Sequence, residues 1–158
     1  MSAAVPRRVL LVCTGNICRS PLAEGILRHH SQAAGLNIEF DSAGTHSYHV
    51  GEPPDARAIQ AARARGVNIE QLRARRIEAE DFARFDCILV ADHANLQALQ
   101  ARLGPVSQTA QLLLAKAGID PRGEVPDPYY ASLREFEACF DLLDRAARKL
   151  LSSWLNPA

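Results

Sequence analysis

At 158 residues the chain is long enough for one domain with a full core and too short to expect two, so residues 1–158 are read as a single domain. Eighteen Lys and Arg balance eighteen Asp and Glu, which removes the long-range attraction that draws proteins to nucleic acid or anionic membrane, so any anion specificity must be local. No stretch approaches the ~18 apolar residues of a membrane span, and the run after Arg7 and Arg8 is too short for a secretory signal; a soluble, reduced, cytoplasmic chain is expected.

Residues 1–7 read as a frayed leader. Arg8 to Cys13 is the first strand, and its run Val9, Leu10, Leu11, Val12 lacks alternation, the sign of burial on both faces in a parallel sheet. A helix is predicted from Pro21 to about Ala34, with Leu22 and Ile26 on one face, Glu24 and Arg28 paired across a turn, and Gly35 as its stop. Ile38 to Ser42 reads as a second strand that breaks at Gly44, and Thr45 to Pro54 as a surface loop. A second helix runs from about Asp55 to Arg65; its arginines Arg57, Arg63 and Arg65 do not share a face and are read as solvated. The basic stretch from Asn68 to Ile77 is irregular, with Arg73 to Arg76 read as a solvated face, and Glu78 to Phe85 is a candidate short helix.

Asp86 to Ala91 is a third, fully buried strand, after which Asp92 caps a helix over His93 to Leu103 that Gly104-Pro105 stops. Periodicity does not separate strand from helix over Ala110 to Ala115; the run is assigned as the fourth strand. A proline-rich loop, Asp120 to Pro128, leads to a long final helix with a core stripe of Leu133, Phe136, Phe140, Leu143, Ala147, Leu150 and Trp154. Strands alternating with helices imply an α/β sandwich around a parallel sheet, whose ligands bind beyond the C-terminal ends of the strands, where Cys13 sits.

The stretch Val9 to Ala23 holds the chemistry. A buried strand ends in Cys13, the chain turns at Gly15 and Asn16, Arg19 and Ser20 follow, and Pro21 opens a helix. Strand, short loop and helix N-terminus together make an anion site, because backbone N–H groups and the helix dipole both aim positive charge into the loop. Such a site favours the thiolate of a cysteine at its mouth. Five residues, Thr14, Gly15, Asn16, Ile17 and Cys18, separate Cys13 from Arg19. That length lets the loop curl around a tetrahedral dianion, while the planar fork of Arg19 binds two of its oxygens. Ser20 is placed to donate to the Cys13 sulfur.

Thiolate attack on a phosphate ester expels an alkoxide or phenoxide that a general acid must protonate. Asp127, framed by Pro126 and Pro128, is the best candidate, since the residue before a proline is held extended. Tyr129 and Tyr130 then line the pocket and stack on an aryl group. Neither the five histidines nor the four cysteines form a zinc-spaced set, so no metal and no cofactor is expected. Cys87 and Cys139 read as ordinary buried thiols.

The run Val12-Cys13-Thr14-Gly15-Asn16-Ile17-Cys18-Arg19-Ser20-Pro21 closely resembles the signature of the low-molecular-weight protein tyrosine phosphatases, and Asp127-Pro128-Tyr129-Tyr130 resembles their general-acid loop. Ser42-Ala43-Gly44-Thr45 and Asp92-x-x-Asn95 are similar to two further landmarks. The resemblance implies a three-layer sandwich, with a four-stranded parallel sheet flanked by helices and a phosphate-binding loop after the first strand. It implies metal-free hydrolysis of phosphotyrosine through a cysteinyl-phosphate: Cys13 as nucleophile, Arg19 on the transition state, Asp127 first as acid and then as base. It implies phosphate binding by residues 14–18 with Ser20, pocket walls from Tyr48 and Tyr129, loop bracing by Asn16 and Ser42, and a reversible disulfide between Cys18 and Cys13. Members often carry a histidine before the "EDF" helix; Gln71-Leu72-Arg73-Ala74-Arg75 has none, which leaves Asn95 or Arg75 to complete the loop's support. The expected partners are a phosphotyrosine-bearing protein, a tyrosine kinase among the candidates, with the chain a monomer or weak homodimer. Two rival readings stand beside this one. A thioredoxin-coupled arsenate reductase would share the fold but needs two further cysteines close together in sequence; a non-catalytic phosphate-binding module would have no use for Asp127.

Overall fold

The apolar run after Arg8 forms strand β1 (Arg8–Cys13), and every residue of it beyond Arg8 is buried. Val9, Leu11 and Cys13 face the larger of two cores, and Leu10 and Val12 face the smaller, so the missing alternation reflects a strand with apolar layers on both sides. This computed structural model describes residues 5–120 and 122–156. β1 is flanked by β2 (Glu39–Gly44) and β3 (Cys87–Val90), and β4 (Gln111–Leu112) completes a parallel sheet of order β2-β1-β3-β4.

The larger core lies under α1 (Arg19–Ala33), α2 (Ala56–Ala64) and α6 (Leu133–Leu155), with α6 packed against each of the other two. α6 opens with a capping box between Ser132 and Glu135, and its predicted stripe is buried from Phe136 to Trp154, with Leu133 half-buried. The smaller core takes Phe85 and Ile77 from around α3 (Asp81–Arg84), and Leu99 from α4 (His93–Leu103). The predicted three-layer α/β sandwich is therefore the observed one. In the order β2-β1-β3 the chain leaves β1 to opposite sides, and the C-terminal end of β1, with Cys13, lies at that switch point.

Several boundaries differ from expectation. α1 starts at Arg19, two residues early, because Pro21 falls in the first turn, where an N–H has no helical partner to lose. β2 runs on to Gly44, paired with Cys13, instead of breaking there. The short third helix covers only Asp81–Arg84. Of the run assigned as a fourth strand, only Gln111 and Leu112 pair with β3; Leu113 begins a helical turn, α5 (Leu113–Lys116), which buries Leu113 and Leu114 in the larger core. Residues 1–4 of the expected leader lie outside the described residues, but its last residue, Arg7, is held in place together with Arg8 of β1. Their N–H groups donate to the Asp86 carboxylate at 2.7 and 3.0 Å, which lowers the pKa of Asp86. Three arginines read as solvated are held in ion pairs instead: Arg57 to Asp55, Arg65 to Asp141, and Arg75 to Asp41 and Asp81.

Candidate active site

The loop of residues 14–18 joins β1 to α1. Its turn depends on Asn16, at φ 59°, a left-handed conformation that asparagine tolerates better than most residues. The Asn16 carboxamide is used at both ends: Nδ2 donates to Ser20 Oγ at 2.7 Å and to Ser42 Oγ at 2.9 Å, while Oδ1 accepts from the Arg75 N–H at 3.0 Å. Ser42 in turn donates to Glu24 at 2.7 Å. Glu24 is buried and also bonded to Arg28 at 2.5 Å; burial pushes its carboxyl above the ordinary glutamate range despite these contacts. On the other side of the loop, Asn95 donates to the Thr14 hydroxyl at 3.1 Å. Both residues expected to complete the loop's support thus contact it, Asn95 by its side chain and Arg75 by its backbone. Among the described residues, the N–H groups of Gly15, Asn16, Ile17 and Cys18 have no backbone acceptor, as an anion cradle requires.

At the floor of this cradle the Cys13 sulfur lies 3.0 Å from the Ser20 hydroxyl and 3.4 Å from the Ser20 N–H. Arg19, 3% exposed, donates through Nη1 to Asp92 at 2.6 Å and to the Val125 carbonyl at 3.0 Å. Its Nη2 lies 3.6 Å from the Asp127 carboxylate. Burial works against the Arg19 charge but is outweighed by Cys13, Asp92 and Asp127, so its pKa rises and it stays a cation. Asp127 is half exposed, and its carboxylate accepts the Tyr129 N–H at 3.1 Å. A cavity of about 170 Å³ opens between Cys13, Arg19, Asp127 and the rings of Tyr48, His49 and Tyr129.

The two motifs, more than a hundred residues apart, therefore meet at one pocket. Tyr48 stands at its rim, stacked on His46 at 5.0 Å, and Tyr130 also lines it, though far more exposed than Tyr129. Cys18, the last residue of the loop, is buried, and burial, followed by the nearby Cys13, pushes its thiol pKa strongly up. All four cysteines are free thiols. Among the described residues no group of three or more His, Cys, Asp and Glu is arranged to hold a metal ion.

The contacts of three residues at the site are not disclosed by the sequence. Asp92 looks like a helix cap and is one, through a reciprocal pair with Asn95, but its second oxygen also holds Arg19. Glu24 looks like a surface partner of Arg28, and only the fold shows its bond to Ser42. His49 carries no signal beyond its place next to Tyr48, yet it packs so closely on Gly15 that a Cβ there would meet its ring at 3.0 Å.

A parallel α/β sheet that presents a cysteine, a serine and a buried arginine in one anion loop, with a carboxylate across the pocket, is the architecture of a cysteine-based phosphatase. A sequence profile described as low molecular weight phosphotyrosine protein phosphatase matches residues 8–156, and the chain belongs to that family. It is 37% identical over 155 residues to the low molecular weight phosphotyrosine protein phosphatase of Sus scrofa, covering 96% of this chain and 98% of that protein. It is likewise 37% identical over 153 residues to a low molecular weight protein-tyrosine-phosphatase of Streptomyces coelicolor, covering 92% of each. A solved protein tyrosine phosphatase from Entamoeba histolytica, with Hepes in its active site, superposes with a TM-score of 0.83 at 34% identity, covering 92% of this chain and 94% of that one. No helix among the described residues is long and apolar enough to cross a membrane.

Proposed function

We propose that this chain hydrolyses phosphotyrosine in proteins, and small aryl phosphates, through a cysteinyl-phosphate on Cys13. The observation that carries the reading is the meeting of Cys13, Arg19 and Asp127 at one aromatic-walled pocket. In the first step the Cys13 thiolate forms a bond to phosphorus as the ester P–O bond breaks. Asp127 gives its proton to the departing phenolate, while the loop N–H groups and Arg19 hold the equatorial oxygens. In the second, Asp127 takes a proton from water, the new P–O bond forms, and the thiolate leaves with Ser20 hydrogen-bonded to it. Tyr48 and Tyr129 flank the aryl ring, and Thr14 to Cys18 cradle the phosphate.

Residues 1–158 act in this reading as one catalytic domain, in the cytoplasm, as a monomer or weak homodimer, with a phosphotyrosine-bearing protein such as a tyrosine kinase as substrate. Cys18 pairs with Cys13 when a peroxide removes two electrons and two protons from the thiols, which shields the nucleophile from further oxidation. The arsenate-reductase alternative is not favoured. Cys87 lies on β3 and Cys139 on α6, far apart in sequence, so the relay pair is missing.

The test is hydrolysis of phenyl phosphate and of a phosphotyrosyl peptide by wild type, Cys13→Ser and Asp127→Ala. Cys13→Ser should be inactive, and Asp127→Ala slowed by about 10²–10⁴-fold, the usual worth of a general acid. Unchanged turnover by Cys13→Ser removes the mechanism.

A further inference from the structure

Arg57 sits at the start of α2, outside the pocket, yet it connects both halves of the site. The first link runs toward the phosphate loop, where the Asp55 N–H donates to the Ile17 carbonyl at 2.8 Å. Arg57 grips the Asp55 carboxylate with two prongs, Nε to Oδ1 at 3.0 Å and Nη2 to Oδ2 at 2.9 Å. The second link runs toward the acid loop: Nη2 also donates to the Tyr129 carbonyl at 2.9 Å, and Nη1 to the Ala131 carbonyl at 2.7 Å. Beneath it, the guanidinium lies 4.4 Å over the Phe136 ring at the start of α6. Asp127 is two residues from this anchor and is itself bonded to the Tyr129 N–H.

We propose that Arg57 is a positioning residue for the general acid, fixing the distance between Asp127 and the Cys13 loop through the path Ile17, Asp55, Arg57, Tyr129. The inference rests on the reading of Asp127 as general acid. Proton transfer requires the acid within hydrogen-bond reach of the leaving oxygen, and a displacement of about 1 Å can cost on the order of 10²-fold. Arginine is the residue type that can do this. A planar fork holds a carboxylate and two carbonyls at once and stacks on an aromatic ring; a lysine ammonium cannot reproduce the bidentate grip.

The experiment compares kcat/KM, which reports the steps up to departure of the leaving group, for phenyl phosphate and 2,4-dinitrophenyl phosphate. Dinitrophenolate leaves without protonation, so only the first substrate needs the acid. Arg57→Ala should lose roughly 10–100-fold on phenyl phosphate and less than about 2-fold on the dinitrophenyl ester. In an Asp127→Ala background the same substitution should cost less than about 2-fold on either ester, because the acid it positions is already gone. Arg57→Lys, which keeps charge and length, should show a smaller loss with the same leaving-group dependence, and circular dichroism checks that both variants fold. An equal loss on both esters, or a full loss in the Asp127→Ala background, overturns the proposal and makes Arg57 a general support of the fold. If Asp127→Ala itself slows both esters equally, the general-acid reading fails first and takes the inference with it.

Discussion

Arg19 Nη1 donates to the Asp92 carboxylate at 2.6 Å, so the arginine is oriented before any phosphate reaches it. The other Asp92 oxygen accepts the Asn95 N–H and caps α4, so one carboxylate serves the helix and the site together. Asp92→Asn separates the two roles, since an amide still caps a helix but no longer neutralises a buried guanidinium. The variant should bind inorganic phosphate at least about 10-fold more weakly, a loss of roughly 1.4 kcal/mol, measured as competitive inhibition of aryl phosphate hydrolysis. Asp92→Ala should lose in addition about 1 kcal/mol of stability from the missing cap. Unaltered phosphate inhibition in Asp92→Asn sinks the idea.

Asn16 combines a left-handed backbone with three side-chain hydrogen bonds. Asn16→Ala loses those bonds and places an alanine at positive φ, for a cost of about 2–4 kcal/mol. Asn16→Gly loses the same bonds without the strain and should be more stable than the alanine variant by about 1 kcal/mol. Urea denaturation of the pair measures that difference directly. Equal stabilities would show that the backbone at this position is not strained by a side chain.

Gly44 closes β2 against the phosphate loop so tightly that a Cβ would meet the Thr14 carbonyl oxygen at 2.8 Å and the His46 carbonyl oxygen at 3.0 Å. Both obstacles are backbone, so neither can swing aside. Gly44→Ala should therefore push Thr14 and the loop away, costing about 1–3 kcal/mol of stability and lowering kcat/KM on every aryl phosphate alike. Thermal melting and steady-state rates together check it; wild-type values for both would show that the loop yields freely.

Burial holds the Glu24 carboxyl above its ordinary value of 4.5. A group whose pKa is raised on folding favours the folded state while protonated. Its contribution is whole below the ordinary value and is lost as pH rises through the raised one. Glu24→Gln does not ionise and escapes that loss. The stability of the variant relative to wild type should therefore increase as pH rises from the ordinary carboxylate range upward, read from urea midpoints at successive pH values. A pH-independent difference would contradict it.

What the sequence discloses about this molecule follows from how local each feature is. The strand, loop and helix around Cys13 are contiguous, so an apolar run, a turn and a spacing of five residues suffice to expose them. Asp127 is legible because two prolines mark its loop. Asp92 and Arg57 are not legible in the same way: a carboxylate before a helix and an arginine inside one have ordinary local explanations. Their bonds to Arg19 and to the acid loop arise only when segments more than seventy residues apart pack together. The fourth strand misleads for a different reason. Leu113 and Leu114 are apolar because they fill the larger core from a helical turn, and a short apolar run does not reveal which backbone delivers it.

The loop that carries the proposed acid is pinned on both sides of Asp127. Val125 donates to the Ala91 carbonyl at 2.8 Å and accepts from Arg19, and the carbonyls of Tyr129 and Ala131 are held by Arg57. Only residues 126–128 lie between these fastenings, and two of the three are prolines. A segment so short and so stiff has no hinge on which to swing as a lid. With Asp127 as the proposed acid, the motion expected of it is the picosecond-to-nanosecond rotation of one carboxylate, not the microsecond-to-millisecond closure that paces many enzymes with mobile flaps. Turnover in this molecule should thus be insensitive to solvent viscosity on small substrates, with chemistry at phosphorus and not loop opening setting its tempo.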